Sequence, residues 1–425
     1  MPEPAVARPD LGRPELATLE RAELAGELAH WRAAARALTD LDGVASPAAW
    51  AALESYLGLR LRDTLTTAVL GVVEAAGRVQ HALAVPADLP DLRRAVAGVR
   101  ARYLRAEMVV DFYGDAVNTR TSPRTGALLR GLDALAVDSM EKVLGPLGIE
   151  VPPVLCYRDG GAGASILRWN AILWDASPAP VAAVKITHHN TRRPTSLVHE
   201  TGHQVAHLTG WNPELGEALA AVLAPVDRDV ADVWRGWAGE VAADVYAFAL
   251  LGWAPLPALA TVVGGSGSRV FRMVPGDPHP FGWIRVQFGA ALCRSWFGPG
   301  PWDDLARVWA ARHPPAEAPP DAMAVVRASL PRLADLADAC TRTPMRAFGG
   351  RPLSALADPR RVSPAELARL AERSGPALWT SSYLRRLESL RILAWGVLRD
   401  AGPPAPGVPD VPTWITHLGT ERAAA

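Results

Sequence analysis

The chain has 425 residues, 49% of them apolar and 21% charged, the make-up of an ordinary globular protein with room for two or three domains or subdomains. Its 44 basic side chains balance 44 acidic ones, so net charge gives no case for binding nucleic acid or an anionic membrane. Cys156, Cys293 and Cys340 are widely spaced with no CxxC pair, which excludes a disulfide framework and points to a reducing, cytoplasmic setting.

The opening stretch MPEPAVARPDLGRPELATLERAEL carries charges throughout and no apolar h-region, so no secretory signal is expected. Residues 15–145 read as helices. Leu16, Leu19, Leu24, Leu28 and Trp31 recur at helical spacing, while Ser46-Pro47, Pro90 and Ser122-Pro123 mark further helix starts. The polar and aromatic run DFYGDAVNTRT (111–121) reads as a helix terminus.

The character changes near 150. VPPVLCY (151–157), AILWD (171–175) and VAAVKITHH (181–189) are short apolar or β-branched runs between Gly- and Pro-containing loops, which predicts strands. DGGAGAS (159–165) lacks the Lys-Ser/Thr of a phosphate-binding loop and reads as a turn. Helices return after 190: one from Asn212-Pro213-Glu214, a long one over 228–253, another over 280–297. More follow beyond 300 between breaks such as RHPPAEAPP, with a capping box at Ser363-Pro364-Ala365-Glu366. The uncharged run Val245–Gly267 is long enough to cross a membrane, but Pro255, Pro257 and its glycines make it a buried helix followed by a turn. The expected fold is α+β and mostly helical: a helical region over 1–145, a core with a small sheet over 146–300, and a helical region over 301–425.

The chemistry is concentrated in SLVHETGHQVAH (196–207). His199, Glu200 and His203 spell H-E-x-x-H. On a helix, residues four apart share a face about 6 Å apart along the axis, so two imidazoles can take two corners of a tetrahedral zinc site. Glu200, about 100° round the helix, can accept a proton from an attacking water. Gly202 costs the helix about 1 kcal/mol relative to alanine, and a glycine beside a ligand permits close backbone approach.

A third ligand is needed. His207 lies about 12 Å from His199 on a straight helix, too far to share the ion; Ala206 and Thr209 occupy the Gly and His positions of HExxHxxGxxH, so that pattern fails too. His207 is expected to be packed or capped near the helix end at Gly210. In WRGWAGEVAADVYAFAL (234–250), Glu240 and Asp244 are four apart beside the small residues Gly236, Ala243 and Ala247, a stripe that lets another helix come close. Two buried carboxylates need partners. A metal for Glu240 and a ligand histidine N–H for Asp244 would serve both. Glu217 is the alternative ligand, but no acid follows it four residues on.

HETGH followed 37 residues after His203 by Glu240-x-x-x-Asp244 resembles the gluzincin class of zinc peptidases. Asp277-Pro278-His279-Pro280-Phe-Gly-Trp-Ile-Arg285 is similar to the His-Pro-x-x-x-x-Arg element of the HtpX and CAAX-prenyl-endopeptidase family. The resemblance covers residues 180–290 and implies a zincin-like core. It implies that His199, His203 and Glu240 bind Zn2+, that Glu200 activates water and that Asp244 orients a ligand histidine. It also implies that His279 and Arg285 face the substrate or the oxyanion. Those relatives span membranes many times and this chain shows no such span, so a soluble relative without a membrane partner is expected. From the residues alone, His279 could equally cap the helix that follows and Arg285 could be a buried arginine paired with an acid. His188-His189 are candidates for the cleft rim.

The strand VAAVKITHH precedes the metal helix, and an exposed sheet edge there would bind an extended peptide by strand addition. The expected activity is zinc-dependent hydrolysis of a peptide or protein. The alternatives are a zincin-like scaffold that no longer cleaves, whose signature would be loss of Glu200, and a zinc hydrolase of a non-peptide amide.

Overall fold

Serine before proline opens helices in this chain as expected. Ser46 accepts a hydrogen bond from the Ala49 N–H (3.3 Å), and Pro47 stands where a missing N–H costs nothing. The computed structural model describes residues 13–85, 87–160, 163–169, 171, 179–400 and 407–421. The expected strand AILWD lies outside the described residues apart from Ala171. The described residues divide into two units, one drawn from 1–118 and 170–180, the other from 119–169 and 181–425.

The first unit is built of α1 (Arg13–Ala37), α2 (Pro47–Leu57), α3 (Leu61–Leu83) and most of α4 (Leu89–Thr119). Leu24 and Leu28 of α1 are buried with Ala76 of α3 and with Leu92, Val96 and Val99 of α4. Leu16 and Leu19 are half exposed, so only the later turns of the α1 stripe reach this core.

The second unit begins with α5 (Pro123–Leu144) and also contains everything described beyond residue 300. The division therefore falls at neither 145/146 nor 300/301. The reason is packing: α5 lies against the sheet and the helix Thr195–Thr209, and the helix Val411–Glu421 packs along α5. VPPVLCY forms β1 (Val154–Arg158), DGGAGAS ends in a strand β2 (Ser165–Leu167), and VAAVKITHH forms β3 (Ala182–Ile186). Their order is β1-β3-β2, with β3 parallel to β1 and antiparallel to β2. β3 is thus central, as its apolar Ala-Ala-Val suits, and the edge it was expected to offer belongs instead to β2. The outer edge of β1 is plugged by a buried ion pair. Asp133 accepts the Cys156 N–H (2.6 Å), Arg120 donates to the Cys156 carbonyl (2.7 Å), and the two side chains pair at 2.8 Å.

After the sheet come α6 (Thr195–Thr209), α7 (Trp211–Leu223), α8 (Arg228–Gly236), α9 (Ala238–Leu251), α10 (Pro255–Val263), the single turn α11 (Gly267–Val270) and α12 (Gly282–Phe297). The expected helix over 228–253 is two helices. Gly236 favours the helix least of any residue but proline, and the buried Trp237 indole, edge-on to Trp234 and Phe281, holds the break. Gly236 is therefore exposed and does not belong to the small stripe. The apolar run after Val245 is cut by Gly252, whose φ of 65° suits glycine. No helix among the described residues is long and apolar enough to cross a membrane.

α6 and α9 cross at Gly202. A Cβ there would lie 2.9 Å from Ala243 Cα and 3.1 Å from the Tyr246 ring. Tyr246, buried, donates its hydroxyl hydrogen to the Ser139 carbonyl of α5 (2.6 Å), and Ser139 bonds to Thr201 of α6 (2.8 Å), so three helices are tied at this point. Gly202→Ala should gain about 1 kcal/mol of helix preference but cost about 1–3 kcal/mol of overpacking against a backbone that cannot yield. We expect a net loss of stability in urea unfolding. A variant at least as stable as wild type would disprove the close approach.

Candidate metal centre

α6 presents His199 and His203 on one face, and α9 places Glu240 opposite them. Because the chain breaks at Trp237, Glu240 falls in the first turn of α9, where the helix dipole favours a carboxylate. Glu240 Oε1 is 3.1 Å from His203 Nε2, and Oε2 is 3.4 Å from His199 Nε2. One donor atom from each of these three residues lies within 4.8 Å of the others. A tetrahedral ion with bonds of about 2.1 Å has donors about 3.4 Å apart, which the two histidine–glutamate distances fit. A second observation agrees: buried Glu240 Oε2 makes no well-formed hydrogen bond, only 3.4 Å contacts with His199 and Arg285, and so keeps a lone pair that a cation would satisfy better. Two imidazoles and a carboxylate are a donor set suited to zinc.

His199 Nδ1 meets Asp244 Oδ1 at 2.9 Å. That bond turns Nε2 toward Glu240 and fixes the tautomer a ligand needs. Burial alone would lower the His199 pKa, but the Asp244 carboxylate that accepts its N–H and the negative charge of Glu240 lift it to about 10. Asp244 in turn receives both arms of Arg285, Nε to Oδ2 at 2.9 Å and a terminal N–H to Oδ1 at 2.8 Å. Burial would raise Asp244, yet Arg285 and His199 hold it down at about 2. Burial likewise opposes the charge on Glu240, and the three histidines around it hold its pKa far below the carboxylate range. The Arg285 fork, on the first turn of α12, is thus committed to Asp244 and reaches Glu240 at 3.4 Å. The geometry favours the arginine paired with an acid over one open to a substrate. Arg285→Lys loses the two-pronged contact. We expect it to weaken zinc binding about 10–100-fold, the usual cost of disturbing a partner behind a ligand. A competition titration against a chromogenic chelator measures this, and unchanged affinity would show that the fork does not position His199.

His279 reaches the cluster from the loop before α12, its Nε2 3.2 Å from Glu240 Oε1. Its Nδ1 meets Asp277 Oδ1 at 2.5 Å, and Asp277 also accepts the His279 backbone N–H (3.0 Å). The bond to Glu240 raises the His279 pKa to about 9 despite partial burial, with Asp277 adding to it. The ring is held by Asp277 with Nε2 aimed at the metal position, and its side chain remains half exposed to an incoming molecule. Glu200 is 7% exposed, and its carboxylate has no hydrogen bond among the described residues. Burial pushes its pKa above the usual carboxylate value, as suits a general base.

His199, Glu200, His203, Glu240, Asp244, His279 and Arg285 all line one cleft of about 770 Å³. Glu217 does not: it is exposed and pairs with Arg235 at 3.0 Å. His207 is exposed on α6 rather than packed. Of the pair at the end of β3, His189 lines the cleft and His188 does not. Sequence reasoning assigned no role to Asp277, although an acid two residues before a histidine in a DPHP turn can bind its backbone and ring together. It also missed Gln204, buried on α6, whose Oε1 accepts the Trp169 N–H (2.9 Å) and ties the end of β2 to the metal helix.

Comparison of this chain with known protein families, curated proteins and solved structures finds no match.

Proposed function

We propose that the chain is a zinc metallopeptidase of the gluzincin type, built on a zincin-like core and resembling a soluble relative of the HtpX and CAAX-prenyl-endopeptidase family. The observation that carries the reading is the convergence of His199, His203 and Glu240, with donor atoms within 4.8 Å of one another, and Glu200 beside them in an open cleft. Zinc bound there would supply a Lewis acid that lowers the pKa of water and polarises a carbonyl. Glu200 takes the proton of the attacking water and returns it to the leaving amine, its unpartnered carboxylate being free for both tasks. His279, oriented by Asp277, donates from Nε2 to the carbonyl oxygen as negative charge develops. The edge of β2, rather than β3, lies beside the cleft and offers backbone groups to an extended peptide. Free, buried cysteines accord with a cytoplasmic location.

The test is cleavage of a broad peptide library by zinc-loaded protein, with and without a chelator. Metal-dependent cleavage supports the reading. Bound zinc with no cleavage of any peptide would instead support a metal-stabilised scaffold, and hydrolysis confined to non-peptide amides would move the substrate class.

A further inference from the structure

The cleft lining is of two kinds. Ala247 and Phe248 of α9, Leu256 of α10, and Phe288 and Leu292 of α12 form a buried apolar wall next to the metal residues. The lining also carries Arg168, which follows β2, and Arg192 and Arg193, which precede α6. Beyond Glu200, Glu240 and Asp244, the cleft lining contains no acid among the described residues. Arg192 has a distant, exposed partner in Asp410 (3.9 Å). Arg168 and Arg193 have neither ion pair nor hydrogen bond from their guanidinium groups among the described residues.

These two arginines mark opposite ends of α6. Arg193 lies just before its first turn. Arg168 lies near its later turns, since the N–H of the next residue, Trp169, bonds to Gln204 Oε1 at 2.9 Å. At about 1.5 Å per residue, Arg193 and Gln204 are about 16 Å apart along the helix, the span of about five residues of extended chain. The metal residues stand between.

Resting on the hydrolase reading above, we infer that the substrate is an extended peptide with a bulky apolar side chain near the cleaved bond and acidic residues on both flanks. The apolar group packs against the wall of α9, α10 and α12, in a cleft whose whole volume of about 770 Å³ has room for an aromatic side chain. The acids meet Arg168 and Arg193, whose guanidinium groups have no partner among the described residues and so set specificity and capture rate.

The probes are fluorescein-labelled nonapeptides with a central phenylalanine and glutamate, glutamine or lysine three residues away on either side. Binding is measured by anisotropy to zinc-loaded Glu200→Gln, which reads recognition without turnover, and cleavage is measured with wild type. We expect affinity in the order glutamate, glutamine, lysine, at least about tenfold from first to last and compressed by added salt. Replacing the phenylalanine by alanine should weaken binding about tenfold or more. In Arg168→Gln/Arg193→Gln the three flanks should bind alike. Equal affinity of all flanks for the parent protein, or tightest binding of the lysine peptide, overturns the inference. A hydrolase indifferent to flanking charge sinks this proposal alone. Selective binding of the glutamate peptide with no cleavage by wild type upholds the proposed recognition and sinks the hydrolytic reading.

Discussion

Glu200→Gln is expected to lower kcat for peptide cleavage by about 10²–10⁴-fold, the usual contribution of a positioned general base, while the protein still binds one zinc ion. Two features of the site make this variant clean. The carboxylate has no hydrogen-bond partner to lose among the described residues, and it is 7% exposed, so a neutral amide of the same shape is easier to bury than the charge it replaces. The fold should therefore be at least as stable as wild type, and KM should change little, because the lost interaction belongs to the transition state. Zinc content by atomic emission and steady-state kinetics on one cleaved peptide decide the matter together. Cleavage at the wild-type rate would remove Glu200 from the mechanism. Loss of zinc along with activity would make it a structural support of the site instead.

The site was more legible than the fold around it, and the reason is distance along the chain. H-E-x-x-H needs only one helix turn to bring His199 and His203 to one face, and Glu240-x-x-x-Asp244 needs one more. Gly202 signalled a close helix crossing because a glycine inside a helix needs a compensating contact, and Ala243 and Tyr246 supply it. What local pattern could not reveal was decided by tertiary packing. The break between α8 and α9 depends on where the Trp237 indole is buried, against Phe281 more than 40 residues on. The edge strand β2 consists of a few residues in a Gly-rich stretch, with no alternation long enough to register. The central place of β3 depends on which strands pair with it. The roles of Gln204 and Asp277 depend on what each side chain meets in space. Arg285 shows the same limit: the sequence left it between a substrate contact and an acid pair, and the position of Asp244 favours the pair.

Glu240→Gln should have the other large effect, on the metal itself. Glu240 is the anion among His199, His203, His279 and Arg285, each within 3.4 Å of one of its oxygens. An amide keeps the shape but not the charge. It leaves the cation with two neutral imidazoles, and its NH2 group turns a donor toward the ion or the histidines. Affinity should fall well beyond the about 10–100-fold cost of losing a partner behind a ligand, so that dialysed protein retains almost no zinc. The metal-free variant should also be less stable than metal-free wild type, because Arg285 and the histidines lose the negative charge that balances them. Breaking a buried pair of this kind costs about 3–5 kcal/mol. Glu217→Gln is the control, an exposed acid on the neighbouring helix α7 paired with Arg235; it should keep its zinc. If Glu240→Gln binds zinc as wild type does, His199 and His203 have found their third ligand elsewhere. His279, already 3.2 Å from the same carboxylate, would then be the residue to replace next.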